Sequence, residues 1–403
     1  MKKSLHLLLC LFGISMIPNA QNNYNEISLP ALMEKKQKGD DNIVIVDVRT
    51  KGEYCDTVSR GKQSNIGKIK GAINIPLQEL QKDPEAVKQL DAYRDKDIYL
   101  ICSHSYRSRA ASNILLKNGF THVNNVRGGM TEWFRRYDDL APYRTQFYET
   151  ANSYKNISPA QLLKLLSSGE KVQLIGITNE PRFLWDSATI RFYQYYPAFK
   201  NAVYFNYADS LKILEQIQKN KTKPVVLFNM VNNGAAETTE WLTQKGISNA
   251  AYLVGNSYLF YEFFRNKNPG QKTNKFIKSK SNIDFITAPN YCSKLKAGNI
   301  VLVDLRHDSL YNKVNKGTKH EYKHLTNSVN FFEGNGIDQF EQQFTDKMKN
   351  YVFISENGID GLALADDLTK KGYTISWLIG GLQRWEWYMN NVENFGCNDS
   401  LVK

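Results

Sequence analysis

After its first twenty residues this 403-residue chain has no apolar run long enough to cross a membrane. It holds only five cysteines and no Cys-x-x-Cys pair, which excludes a thioredoxin-like motif and a zinc knuckle. No basic patch is interleaved with aromatics, so nucleic acid is not an expected partner. What is present is apolar mass: 42 % of residues are hydrophobic, with many Tyr and Phe. That is enough to fill several cores, so a disordered chain is excluded. The length suits two or three domains.

The start reads as a leader, residues 1–20. Lys2 and Lys3 are followed by a mostly apolar stretch, 5–17, and Pro18-Asn19-Ala20 ends on a small residue. The mature chain is expected to be exported, periplasmic or secreted, and not bound to a membrane once the leader is cut. Losing Lys2 and Lys3 lowers the formal charge from +12 to +10. The surplus reads as a lysine-rich solvated surface, which also concentrates anionic small molecules. Without Cys10, four cysteines remain. Export permits disulfides, and Cys292 and Cys397, near the two ends of the last domain, are a candidate pair that the sequence leaves open. Cys55 reads as an ordinary half-buried thiol.

The most informative stretch is 97–127. Ile98-Tyr99-Leu100-Ile101 is a β-leaning apolar run and reads as a buried strand. Residues 108–118 carry Ala111, Ile114 and Leu115 at helical spacing and stop at Gly119. Between them lies Cys102-Ser103-His104-Ser105-Tyr106-Arg107-Ser108. Cys102 therefore sits on a strand-to-helix turn, facing the first-turn amides and the positive end of the helix dipole. Such a setting stabilises a thiolate, with Arg107 as a second positive source. A small buried core residue is the plain alternative, and the polar, basic neighbours argue against it.

Further stretches fall into a pattern with this loop: Ile45-Val46-Asp47-Val48-Arg49, Glu53-Tyr54, the run from Gly67 to Pro76, and Arg127-Gly128-Gly129 with Trp133. Together they resemble a rhodanese (sulfurtransferase) domain in family order, over about residues 25–143. The pattern then recurs. Cys102, Asn229 and Ser355 each lie 17 residues before a helix-ending glycine, at Gly119, Gly246 and Gly372. Val301-Leu302-Val303-Asp304-Leu305-Arg306 and Gly380-Gly381 with Trp385 repeat the flanking stretches. The expected architecture is α/β: three tandem rhodanese-like domains, 25–143, 155–268 and 280–395, each a parallel sheet with helices on both faces. The ligand crevice of such a sheet lies beyond the carboxyl ends of its strands, where Cys102 falls. In the first copy the expected elements are strands at 42–48, 97–101 and 122–126, and helices at 77–93, 108–118 and 130–136.

The chemistry is expected in the first copy alone. Asn229 cannot act as a thiolate, and Ser355 has no assignable base. Gly234 and Asp360 replace Arg107, so the second and third domains read as packing or partner-binding units. The resemblance implies sulfur relay. Cys102 attacks the outer sulfur of a small anionic donor such as thiosulfate and becomes a persulfide, which a thiol or cyanide then unloads. Ser103, His104, Ser105, Tyr106, Arg107 and Ser108 form the substrate-binding loop, with the amides cradling the sulfur and Arg107 orienting the donor. No metal or organic cofactor is called for. Cys102 and Arg107 enclose four residues, as in single-domain sulfurtransferases; the related phosphatases enclose five. Ser105 departs from the glycine of many family loops, and a positive φ there costs ~1 kcal/mol.

Three other features have plainer readings. Asp47, Arg49 and Glu53 are expected to tie a strand end to its helix. His104 is either a substrate contact or an exposed loop residue. His320-Glu321-Tyr322-Lys323-His324 matches H-E-x-x-H, but its flanks lack a helical apolar stripe, so a zinc site is not expected. An exported scaffold or persulfide carrier is the non-enzymatic alternative.

Overall fold

A computed structural model describes residues 24–178, 195–229, 234–313, 323–392 and 395. Its framework is three five-stranded sheets, parallel throughout. The first runs Asn25–Ser28, Val123–Arg127, Asp97–Ile101, Ile43–Asp47, Ile73–Asn74. The second runs Lys155–Ile157, Ala250–Asn256, Val225–Asn229, Gln173–Thr178, Val203–Asn206. The third runs Asp284–Ile286, Thr374–Leu378, Asn350–Ile354, Ile300–Asp304, Ser328–Asn330. Counted in chain order, all three have the arrangement 1-5-4-2-3, so the middle copy keeps the topology of its neighbours.

Each unit also opens alike. A short strand ends in, or just before, a hydroxyl residue whose side chain caps a helix with proline in its first turn: Ser28 with Pro30, Ser158 with Pro159, Thr287 with Pro289. The hydroxyl satisfies an orphan amide and the proline needs none.

Alternate residues of the first unit's strands feed two cores. Val46, Ile98, Leu100 and Cys102 face one layer, and Ile45, Tyr99 and Ile101 the other. Between the second and third units there is a single core. Phe199, Phe228, Phe260 and Phe264 pack in one cluster with Phe285, Val303, Phe353 and Trp377. These two units are thus fused through shared apolar burial, the dominant stabilising term in such contacts. Two antiparallel ladders tie linkers back to the units, Lys68–Ile69 with Tyr148–Glu149 and Ala198–Phe199 with Ile277–Lys278.

One helix departs from expectation. Residues 77–93 are not one element but Leu77–Lys82, then Pro84–Lys88, then a 3-10 turn at Asp91–Tyr93. Pro84 lacks the amide needed to continue the first helix, and Asp83 caps the second. Among the described residues no helix is long and apolar enough to cross a membrane. Residues 1–20, His320, Glu321 and Cys397 lie outside the described residues. Cys292 is disulfide-bonded, whereas Cys55 and Cys102 are free. His324 uses Nδ1 on the Tyr311 carbonyl at 2.9 Å and stacks on the Tyr311 ring.

Candidate active-site loop

The loop hangs from the carboxyl end of the central strand, Asp97–Ile101, and runs into the helix Tyr106–Lys117. It is clasped from below by Gly128-Gly129. Met130 N donates to Cys102 O at 2.8 Å and Thr131 N to Ser103 O at 3.2 Å. A Cβ on Gly129 would stand 2.2 Å from Cys102 O, so only glycine permits this approach. The third unit repeats the clasp, with Leu382 N on Ser355 O at 3.0 Å and Gln383 N on Glu356 O at 3.1 Å. Cys102 and Ser355, and likewise Ser103 and Glu356, therefore occupy equivalent places.

The backbone turns at Ser105, whose φ is 73°. This is the left-handed conformation that disfavours a side chain, and Gly358 holds φ 76° at the matching position. Ser105 is fully buried, and its hydroxyl donates to Val126 O at 3.0 Å. That bond offsets part of the backbone cost.

Among the described residues, the amides of Ser103 to Ser108 find no acceptor. Orphan amides at a helix start are a ready site for negative charge. The other two loops differ. Asn229 Oδ1 accepts from Ala235 N at 2.9 Å, and Ser355 Oγ accepts from Gly358 N at 3.1 Å. In both, the residue at the cysteine position satisfies a loop amide itself. Among the described residues, no amide of the first loop is taken up by the residue at the cysteine position.

Two expectations need correction. Cys102 does not stand at the open mouth of the crevice: it is 1 % exposed and packs within a core layer. Of the loop residues, Ser103 and His104 line a cavity of about 650 Å³. Arg107 is not free to orient a donor. Its guanidinium is paired with Glu53, Nη1 to Oε2 at 2.6 Å and Nη2 to Oε1 at 2.7 Å. Glu53 in turn caps the short helix Lys51–Tyr54 with Thr50. It thus crosses from the second strand's helix to the loop instead of serving only the strand end. Burial pushes its carboxyl upward, but the Arg107 and Thr50 bonds outweigh that and take it down to about 2. Tyr106 turns its ring to solvent, and Ser108 is buried.

Ser108 Oγ stands 3.5 Å from Cys102 Sγ and 2.6 Å from Asn125 Oδ1. Its one proton has three acceptors in reach, the amide oxygen, the Ser105 carbonyl at 3.1 Å and the sulfur, so rotation of the hydroxyl can answer a change of charge on the sulfur. His104 is exposed and lines the cavity. Desolvation by the protein around that cavity first, then the charges of Arg384, Arg135 and Arg107, hold its pKa down to about 4, with Glu53 opposing. The ring is neutral near pH 7.

The cavity is built by all three units. Asn229 and Tyr252 of the second and Arg384 and Trp387 of the third face Ser103 and His104. The third unit's last helix, Gly381–Asn391, covers the loop side of the first unit: Arg109 Nη2 donates to Asn390 O, and Gly128 N to Asn391 Oδ1. The motifs could not reveal this seam, because it depends on how the units pack. Among the described residues no cluster of His, Cys, Asp or Glu could hold a metal.

Asp47 and Arg49 pair at the strand end, but their outside contact is the Gly67 carbonyl and not the following helix. Arg49 donates from N, Nε and Nη2 to the Asp47 carboxylate and from Nη2 to Gly67 O. Asp304 and Arg306 repeat this, with Lys323 O as the carbonyl. Their fourth group differs: Arg306 Nη1 donates to Glu356 Oε2 at 2.9 Å, and Arg49 Nη1 is buried without a partner.

A repeated parallel α/β unit with a lone cysteine at the end of its central strand, clasped by Gly-Gly, defines a protein built around one thiol loop. The chain belongs to the rhodanese-like domain family, whose family model matches residues 29–136 and 288–387, just over half of its length. It is 28 % identical over 99 residues to a tRNA uridine(34) hydroxylase of Cytophaga hutchinsonii, covering 25 % of this chain and 28 % of that protein. It is 35 % identical over 89 residues to the Bacillus subtilis protein YqhL, covering 22 % of this chain and 59 % of that one. The chain therefore matches less than two thirds of these relatives' lengths. A thiosulfate sulfurtransferase structure from Pseudomonas aeruginosa aligns over 94 % of this chain and 67 % of that one at 15 % identity, with a TM-score of 0.23. That superposition is too loose to bear on function.

Proposed function

We propose that the protein is an exported sulfurtransferase in which Cys102 carries sulfur as a persulfide. The Cys102 thiolate attacks the outer sulfur of thiosulfate or a similar donor. The donor's S–S bond breaks, sulfite leaves with the bonding pair, and the sulfur stays on Cys102. A thiolate or cyanide then attacks that outer sulfur and restores the Cys102 thiolate. The observation that carries this reading is a contrast among the described residues: the amides of Ser103 to Ser108 are without acceptors, while Asn229 and Ser355 each take up one amide of their own loop. Such amides stabilise the charge on a persulfide without reorganising. Export rests on the character of residues 1–20, and the second and third units offer surface for a protein partner.

Burial of Cys102 favours a second reading, a carrier that loads sulfur but releases it only when a partner opens the loop. Intact mass after incubation with thiosulfate tests the first step. One added sulfur, absent in Cys102→Ser, is expected; no gain overturns both readings. Thiocyanate formed with multiple turnovers on cyanide selects the enzyme, and loading without release selects the carrier.

A further inference from the structure

The unpartnered Nη1 of Arg49 has a definable direction. A guanidinium is planar and rigid, so fixing Nε and Nη2 fixes Nη1. Nε and Nη2 of Arg49 and Arg306 bind matching groups, the carboxylate two residues earlier and a backbone carbonyl 17 or 18 residues later. Arg306 Nη1 meets Glu356, and the glycine clasps make Glu356 the counterpart of Ser103. Arg49 Nη1 accordingly points to the Ser103 side of the cysteine loop, where a serine replaces the carboxylate. Glu53, the carboxylate already at that loop, has both oxygens on Arg107, and the Ser103 hydroxyl accepts from Arg107 Nη2 at 3.0 Å and donates to Glu53 Oε1 at 3.4 Å.

Resting on the sulfur-transfer reading above, we propose that Arg49 Nη1 and Ser103 form an anion subsite of the first loop, which takes the sulfonate of the sulfur donor. A fully buried charged donor without a partner is unfavourable unless a ligand completes it. The place it points to is reachable: the Glu356 side chain that fills it in the third unit is 32 % exposed, and Ser103 lines the cavity. The same comparison explains why the third loop takes no anion, since Glu356 already stands there. Arg107 becomes a positioning residue for the loop.

The test measures sulfite binding by calorimetry to the full chain carrying Cys102→Ser, so that no turnover is needed. Ser103→Gln and Ser103→Glu are nearly equal in size and differ in charge. The glutamate is expected to weaken sulfite binding about thirtyfold and the glutamine less than about threefold, because only the carboxylate occupies Arg49 Nη1. In an Arg49→Lys background the effect of the glutamate should shrink severalfold, as expected of two groups sharing one contact. Equal effects of Gln and Glu, a glutamate effect undiminished by Arg49→Lys, or no sulfite binding at all overturns the subsite. If Arg49→Lys does not fold, the Ser103 pair still decides. Sulfite binding with the expected pattern, but no sulfur gained by the chain that keeps Cys102, leaves the subsite standing and rejects the transferase.

Discussion

Arg107 and Glu53 are joined by two charge-assisted hydrogen bonds of 2.6 and 2.7 Å, linking the cysteine loop to the helix that follows the second strand. The side chains are 24 % and 12 % exposed, so the pair is neither dry nor freely screened. Arg107→Gln leaves a half-buried carboxylate without its cation and should destabilise by about 1–3 kcal/mol, reduced from the fully buried case by residual solvation. The double change Arg107→Gln, Glu53→Gln should recover much of that loss. Urea unfolding of the three proteins checks it; equal stability of single and double variants would contradict the pairing.

Ser105 offers a separable pair of effects. Glycine at this φ of 73° removes a backbone cost of roughly 1 kcal/mol and forfeits the bond to Val126 O, also worth about 1 kcal/mol. Ser105→Gly should therefore leave stability nearly unchanged. Ser105→Ala keeps the strain and loses the bond, and should destabilise by about 1–2 kcal/mol. Chemical denaturation distinguishes the two, and an alanine variant as stable as the glycine one would sink the account.

Much of this is readable from local pattern. The βα alternation, the Gly-Gly clasps and the pair formed by Asp47 and Arg49 all follow from residues a few positions apart. The positive φ at Ser105 is visible as a departure from glycine. The repeated cap-and-proline starts at Ser28, Ser158 and Thr287 are also there, and they give the origin of each unit more sharply than the apolar runs do. What cannot be read is long-range. The core shared by Phe228 and Phe353 and the cover of the loop by Gly381–Asn391 are set by packing between units. The pairing of Arg107 depends on Glu53, 54 positions away. An arginine five residues after a cysteine looks free until the partner that neutralises it is placed.

His104 should report on the cavity through pH. Its pKa is about 4 in the folded chain against an ordinary 6.5, so between these values the unfolded chain binds the extra proton. Stability from this group is complete above pH 6.5 and declines as pH falls toward 4. Glu53 acts lower, its contribution being lost between 4.5 and about 2. His104→Gln should flatten the stability profile between pH 6.5 and 4 and leave the lower region intact. NMR titration of the ring with a midpoint near 6.5 would contradict the crowded site.

Restoring a thiol to the third loop should not restore sulfur uptake. Ser355→Cys in a Cys102→Ser background places sulfur at the equivalent strand end, so a lone missing atom would predict recovery. Three features of the surroundings oppose it. Glu356 holds Arg306 Nη1 and adds negative charge beside the loop. Tyr196 of the second unit donates to Gly358 O at 2.7 Å, and Trp377 Nε1 donates to the same oxygen at 2.8 Å, pinning the turn from two sides. Asp360 stands where Arg107 does in the first unit, adding a second repulsive charge for any anionic donor. The neighbours close this loop, in addition to the replacement of the cysteine by Ser355. Intact mass after thiosulfate treatment should show no added sulfur on the Ser355→Cys protein, and loading comparable to that of Cys102 would show that the cysteine alone makes the site.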